Sequence, residues 1–232
     1  DNIRPSNLTV VGPVFQSDLT LLLSQLPLSS VTQVAVRNFQ GADFDLSPLS
    51  FLPNVTGVDL GGNAIARLIP STRCNLSSVQ PQDQQHACAL PLGAQITTLV
   101  LRQNNIAAIQ GQVLSLFPNL EVLDLSHNEL GQVGPAQLRG TPRLLKLFLQ
   151  HNRISALGPG AFAPLTRLQR LDLTSNIIAA VHPRALHMLP KLQRLDLRDN
   201  GIAQLRGHGA GAVPLLNRVH RPASARHGLE CR

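Results

Sequence analysis

Leucines and one asparagine recur along the middle of this chain at a fixed spacing. The pattern L-x-L-x-x-N-x-(I/L) starts at five positions, and each start follows the previous one by 24 residues. The alternating apolar residues of each L-x-L predict a short strand with one buried face. A strict period of this length predicts a solenoid, in which each period is one coil and successive strands pair in parallel. The five starts are Leu99, Leu123, Leu147, Leu171 and Leu195.

The same frame continues towards the N-terminus, but less regularly. Val58 and Val34 keep the phase, and the step from Val58 to Leu99 contains a polar insertion of 17 residues. One further period back reaches Val10, where the match is poor. The leucine-rich run over 19–28 predicts a short helix or buried turn in this first part of the chain.

These breaks divide the chain into three predicted parts. They are a degenerate first repeat or N-terminal cap over 1–30, the repeats over 31–205 with the insertion at about 69–93, and a degenerate last repeat with a basic tail over 206–232.

An asparagine follows each predicted strand, where the chain has to turn and leaves backbone groups buried. An amide side chain both donates and accepts hydrogen bonds, so it can satisfy such groups within and between coils. We therefore expect a structural ladder of asparagines. Its predicted members are Asn63, Asn104, Asn128, Asn152, Asn176 and Asn200.

Sequons and cysteines favour the secretory route and an extracellular protein. Asn7, Asn54 and Asn75 each begin an N-x-S/T triplet without proline, which is the acceptor pattern for N-glycosylation. Cys74 and Cys88 flank a polar stretch, so we predict a disulfide that closes the insertion. Cys231 is the odd cysteine, which pairs outside this chain, pairs between molecules, or stays free.

The composition predicts neither a membrane span nor a bound metal or cofactor. No stretch has the roughly 20 consecutive apolar residues that a spanning helix needs, so an anchor would lie in a segment outside this sequence. The chain lacks both an initiator methionine and a signal-peptide pattern, which suggests a processed protein or an excised ectodomain. Zinc is a poor alternative for Cys74 and Cys88, because only Asp83 and His86 lie near them as further ligands.

The segment LLKLFLQHNRISALGPGAFAPLTR (144–167) carries a family resemblance. It is similar to the repeat LxxLxLxxNxLxxLxxxxFxxLxx of the extracellular "typical" leucine-rich repeats, as in ectodomains of Toll-like receptors, Slit proteins, small leucine-rich proteoglycans and variable lymphocyte receptors. The resemblance implies an α/β fold, a right-handed horseshoe solenoid with a concave parallel sheet and a mostly irregular or 3-10 convex side. It implies recognition rather than catalysis.

The alternation along the strands predicts which side chains face the concave surface. This surface changes from small neutral residues to dense charge at Lys146, and Phe148 stands there as an exposed aromatic among polar neighbours. Aromatic and arginine anchors often dominate the energy of an interface. The alternative is that Phe148 is a chance surface aromatic and that the charges only keep the sheet soluble. The candidate ligand-binding residues are Arg102, Asp124, Lys146, Phe148, Gln150, Arg170, Asp172, Arg194, Asp196 and Arg198.

Two other arrangements on these strands resemble chemical sites. Asp172 and Asp196 lie one period apart, like paired catalytic carboxylates, but the surrounding arginines would hold both ionised. His127 and His151 share a phase in adjacent coils and could form a zinc site or a pH switch, although no third ligand is evident. We therefore predict no enzyme activity and interpret both histidines as turn residues.

The net charge of +7 raises the question of a polyanionic partner. More than half of the excess lies in the tail over 206–232, which has no aromatic residues to stack on bases. This argument predicts contact of the tail with sulfated glycans and excludes nucleic acid. Together these observations predict a secreted or cell-surface recognition module that binds a protein or glycan on its concave face. The alternative is a secreted inhibitor of an enzyme.

Overall fold

The computed structural model describes residues 6–25, 28–70 and 93–202. Within these ranges the fold is built around one parallel sheet, to which nearly every coil contributes one strand. Its strands, in spatial order, are β1 (Asn7–Val14), β2 (Gln33–Phe39), β4 (Gly57–Asp59), β6 (Thr98–Val100), β7 (Val122–Asp124), β8 (Lys146–Phe148), β10 (Arg170–Asp172) and β12 (Arg194–Asp196).

The segments that return the chain from one strand to the next contain little regular structure. Two short parallel pairs lie there, β3 (Asp43–Asp45) with β5 (Arg67–Ile69) and β9 (Ala156–Leu157) with β11 (Ala180–Val181). The α-helices are α1 (Gln16–Gln25), α2 (Gly111–Leu114) and α3 (Pro135–Leu138), and 3-10 turns occur at Leu28–Ser30 and Ser47–Phe51. The predicted leucine-rich-repeat solenoid is confirmed.

The register of the sheet follows the 24-residue period. Leu123 pairs with Leu147, and Leu171 pairs with both Leu147 and Leu195. Val58 pairs with Leu99, so the strands before and after the insertion are adjacent and keep the same register. Leu99, Leu123, Leu147 and Leu171 are all fully buried. Successive side chains of a strand point to opposite faces, so a shift of the register by one residue would expose these leucines.

The first strand departs from this frame by two residues. The period places Val10 beside Val34, but β1 pairs Leu8 with Val34 and Val10 with Val36. The first coil has to include α1, whose Leu19 and Leu23 are buried, and it is therefore two residues longer than the 24-residue period. This helix fulfils the prediction of a helix or turn in the leucine-rich run.

Several predictions fall on residues outside the described ranges. They are the disulfide between Cys74 and Cys88, the sequon at Asn75, Cys231, and the basic tail over 206–232. Among the described residues, no helix is both long and apolar enough to cross a membrane.

Candidate ligand-binding face

The end of each strand is held by an asparagine that bonds two coils together. Asn152 Nδ2 donates to Leu125 O of the preceding coil at 2.9 Å and to Leu149 O of its own coil at 3.0 Å. Its Oδ1 accepts from Leu130 N at 3.0 Å. Equivalent bonds between coils are made by Asn63, Asn104, Asn128, Asn176 and Asn200. The sheet is thereby held rigidly in register.

A column of left-handed residues precedes the asparagines, and the sequence analysis missed it. His127, with φ of 54°, and His151, with φ of 55°, adopt this conformation directly before Asn128 and Asn152. The residue types give a signal, because Asn, Asp and His are enriched among non-glycine residues at positive φ. The other members of the column are Asn38, Gly62, Gln103, Ser175 and Asp199.

The parallel register assembles the predicted concave residues into columns. Lys146, Arg170 and Arg194 lie side by side on adjacent strands, so three cations line one edge of the face. Phe148 lies between Asp124 and Asp172 in the next column. The structure thus brings these candidate residues together on four neighbouring strands, β7, β8, β10 and β12.

The remaining candidates lie at the ends of these strands. Gln150 and Arg198 follow β8 and β12 by two residues, as Ser126 follows β7. Arg102 follows β6 in the same way, and it is separated from β8 by β7. It therefore borders the group around Phe148 instead of joining it.

Phe148 is half-buried, and the prediction that it is an exposed aromatic is wrong in this respect. The Cζ atom of Arg170 lies 4.9 Å from the centroid of the Phe148 ring, within the range of a cation–π contact. The same guanidinium lies 3.5 Å from the carboxylate of Asp172. Arg170 therefore covers one side of the ring while remaining partly exposed.

Two polar side-chain atoms of the candidate residues are buried without a hydrogen-bond partner among the described residues. They are Gln150 Oε1 and Arg170 Nε. A buried polar group without a partner costs about 1–3 kcal/mol, so such groups are rare in a well-satisfied scaffold.

The aspartates of the face have local structural roles. Asp124 Oδ1 accepts from the backbone N–H of Ser126 at 3.0 Å and from its hydroxyl at 2.6 Å. Asp172 bonds Thr174 in the same way, at 3.2 and 2.7 Å. Each carboxylate therefore closes the turn after its strand.

The charge state of Asp196 is set by its neighbours. Hydrogen bonds from the Arg198 side chain lower the pKa of Asp196, and they outweigh the opposing effect of burial. The backbone N–H of Arg198 and the Thr174 hydroxyl act in the same direction. This aspartate is therefore held ionised, which is unfavourable for a general acid.

The imidazole rings of His127 and His151 stack on each other. Their ring centroids are 4.2 Å apart and the rings are inclined by 18°. Within the described ranges, no group of three or more His, Cys, Asp or Glu side chains could hold a metal ion.

The two described sequon asparagines are exposed at the N-terminal part of the solenoid. Asn7 lies at the start of β1, opposite Gln33. Asn54 lies in the turn before β4, and its Nδ2 donates to Ser29 O at 2.6 Å. Glycosylation at Asn7 and Asn54 stays a prediction.

The repeated strand, the inward leucines and the asparagine after each strand define a solenoid of the leucine-rich-repeat class. The family model for the leucine rich repeat matches residues 94–154 and 142–202. The two matches together cover residues 94–202, and this part of the chain consists of leucine-rich repeats.

The fold is also found in a solved structure, the crystal structure of the TLR13–ssRNA13 complex. The match has a TM-score of 0.68 at 21% sequence identity, and it covers 83% of this chain and 28% of that one. This chain thus spans little more than a quarter of the length of its structural neighbour. No curated protein sequence matches the chain.

The exclusion of nucleic acid made from the sequence is wrong. A solenoid of this fold occurs in a complex with single-stranded RNA, so neither the repeat nor its open face argues against such a partner. The error came from considering the charge of the tail alone. The concave face itself carries a column of three cations next to Phe148.

Proposed function

We propose that this chain is an extracellular recognition module that binds a protein on its concave face, with Phe148 and Arg170 at the centre of the contact. The observation that carries the proposal is the packing of the Arg170 guanidinium on the Phe148 ring. Aromatic and arginine side chains held in place before binding lose little conformational freedom when a partner docks.

The scaffold itself does not require an aromatic residue at this position. In the column that contains Phe148, β2 and β6 carry the small apolar residues Ala35 and Val100. Four further strands of the column carry an aspartate whose carboxylate closes the following turn, at Asp59, Asp124, Asp172 and Asp196. Phe148 cannot make this bond. A residue that departs from a local structural rule without a local gain is a candidate for function.

The exposed sequons support an extracellular setting for the module. Asn7 and Asn54 are both accessible, and Asn54 lies far along the sheet from β8. Glycans there would leave the face around Phe148 open to a protein partner.

The proposal is tested by probing an array of secreted and cell-surface proteins with the multimerised chain. Each binder is then measured again with Phe148→Ala and with Arg170→Ala. We expect a loss of roughly tenfold or more in affinity, as is usual for anchor residues. Phe15→Ala is the matched control, because Phe15 is 55% exposed at the other end of the molecule. Equal affinity of all three variants for every binder would refute the proposal. A binder that is an enzyme would support the alternative of an inhibitor.

A second candidate is recognition of single-stranded nucleic acid by the same face. The arrangement of Lys146, Arg170 and Arg194 beside Phe148 combines cations with an aromatic ring, which is the combination that single strands require. The RNA in the complex of the structural neighbour gives this candidate its weight. Fluorescence anisotropy with a labelled single-stranded RNA tests it. Binding that is lost in Phe148→Ala would favour RNA over a protein.

A further inference from the structure

A tight turn precedes each strand of the later coils and presents one side chain at a fixed place. The backbone N–H of Leu144 donates to Thr141 O at 3.2 Å, and this bond closes a turn with Arg143 at its third position. The bonds from Leu168 N to Leu165 O and from Leu192 N to Leu189 O repeat the turn at 3.0 and 3.3 Å. The side chains presented at the third position of these turns are Arg143, Arg167 and Lys191.

These three cations form an outer column along the edge of the sheet. Each lies three residues before a cation of the inner column, which consists of Lys146, Arg170 and Arg194. Neighbouring strands in a sheet are about 4.8 Å apart, so each column repeats a positive charge at roughly that distance. We call the six residues of the two columns the basic ridge.

The charge of both columns begins at the same coil. In the three preceding coils the outer positions are Gln95, Asn119 and Asn54, and the inner positions Thr98, Val122 and Gly57 are also neutral. The next three coils carry a cation at every one of the six positions. The fold does not explain this change, because the turns and the strand register are the same on both sides of it.

The cations of the outer column are not needed to hold the turns together. At the same position, Asn119 Nδ2 donates to Ala94 O of the preceding coil at 2.7 Å, and Asn54 makes the equivalent bond to Ser29 O. Arg143, Arg167 and Lys191 make no ion pair among the described residues, and all three are exposed. Three like charges at adjacent exposed positions of the outer column, without an ion pair among the described residues, favour an anionic ligand.

We propose that the basic ridge binds a linear sulfated polysaccharide that runs across the last three coils. Sulfate groups along one polymer match an array of exposed arginine forks and lysine ammonium groups. Neither column contains an aromatic residue at its described positions, so bases of a nucleic acid would have no stacking platform on the ridge itself. Asn54 shares the outer column three coils before Arg143, so a glycan there would leave the ridge free.

The test compares two variants that remove the same number of charges. Arg143→Asn/Arg167→Asn lowers the charge of the outer column and installs the amide that the native chain has at Asn119. Arg153→Gln/Arg184→Gln removes two exposed arginines that lie on the coil segments after the strands. Binding of the whole chain to immobilised heparin is measured in physiological salt. Desulfated heparin and a single-stranded RNA serve as comparison probes.

We expect the ridge variant to lose roughly tenfold or more in affinity for heparin, whereas the control variant keeps the affinity of the wild type. We also expect desulfated heparin not to bind. Equal affinity of the wild type and the ridge variant would overturn the proposal, as would equal losses in both variants or no binding by the wild type. Tighter, ridge-dependent binding of RNA would overturn it in favour of nucleic acid.

The ridge shares Arg170 with the proposed protein contact, but the two proposals are tested by different variants. The ridge variants change only the outer column, and they leave Phe148 and Arg170 in place. Phe148→Ala should bind heparin like the wild type, so the two proposals can fail separately. If the double asparagine variant has a lower melting temperature, Arg143→Gln/Arg167→Gln replaces it, because Gln95 occupies the same position in the native chain.

Discussion

The imidazole rings of His127 and His151 stack with their centroids 4.2 Å apart. Burial lowers the pKa of His127 from its ordinary value of 6.5, and the electrostatic effects of His151 and Arg102 lower it further, against the opposing effect of Asp124. The folded chain therefore binds a proton at His127 less readily than the unfolded chain does.

This difference predicts that acid destabilises the fold through His127. Between the folded pKa and the ordinary value, the unfolded state holds more protons, so stability rises with pH in this window. The contribution of neutral His127 to the free energy of unfolding is fully present above about pH 6.5, and it is lost as the pH falls below that value. His127→Gln should reduce the loss of melting temperature between pH 7.5 and pH 5. Gln is suitable because Gln103 has the same left-handed conformation one coil earlier, with φ of 55°. An unchanged pH dependence in the variant would exclude His127 as its source.

Replacing a ladder asparagine by an apolar residue of similar size should lower the stability of the fold strongly. Asn152→Leu removes the partner of Leu130 N and of the carbonyls of Leu125 and Leu149. We expect a loss of about 1–3 kcal/mol in the free energy of unfolding, because buried groups are left without partners. Chemical denaturation measures this loss.

The control for the ladder is Asn105→Leu. Asn105 directly follows the ladder residue Asn104 but is exposed, and among the described residues its side-chain amide donates only to Glu129, at 3.5 Å. Similar losses for both variants would show that any asparagine of these turns matters equally and would contradict the special role of the ladder.

The strands and their register could be predicted from the sequence because one strict period governs them. Leu99, Leu123 and Leu147 face inward as predicted, since the side-chain period of a strand leaves no other way to bury them together. The predicted register fails at Val10, because α1 lengthens the first coil beyond 24 residues. Counting back by a fixed period cannot reveal such a lengthening.

The candidate site was predictable only in part. The columns of Lys146, Arg170 and Arg194 follow from the period alone. The cover that Arg170 forms over Phe148 does not, because a long side chain chooses its direction from neighbours one coil away. The left-handed column is equally hard to predict from the sequence, since six residue types share it. Which of these residues bind a ligand stays a prediction.

Gly140 provides a test of how closely neighbouring coils pack on the convex side. A Cβ atom on Gly140 would lie 2.4 Å from the backbone N and 2.5 Å from the Cα of Ser115. Backbone atoms cannot move aside as a flexible side chain can, so Gly140→Ala should cost about 1–3 kcal/mol of stability.

The matched variant is Gly131→Ala, where a Cβ atom meets nothing within 4 Å. We expect this change to be neutral or to stabilise the fold slightly, because alanine restricts the unfolded chain. Thermal unfolding of both variants gives the comparison. Equal melting temperatures for the two would contradict the close contact between the coils of Gly140 and Ser115.

A double substitution at Phe148 and Gln150 should abolish ligand binding without lowering the stability of the fold. On β10, Asp172 Oδ1 accepts bonds from the N–H and the hydroxyl of Thr174, whereas Phe148 leaves Gln150 without this closure. The double variant Phe148→Asp/Gln150→Thr places at the end of β8 the aspartate and threonine that close the turn after β10. The new hydrogen bonds should contribute about 1 kcal/mol, which offsets the lost contact between Phe148 and Arg170. We expect a melting temperature at or above that of the wild type, together with loss of every partner that depends on Phe148. A variant that binds such a partner as the wild type does would show that Phe148 serves the scaffold. A strongly destabilised variant would show the same, since the native pair would then be the better solution for this turn.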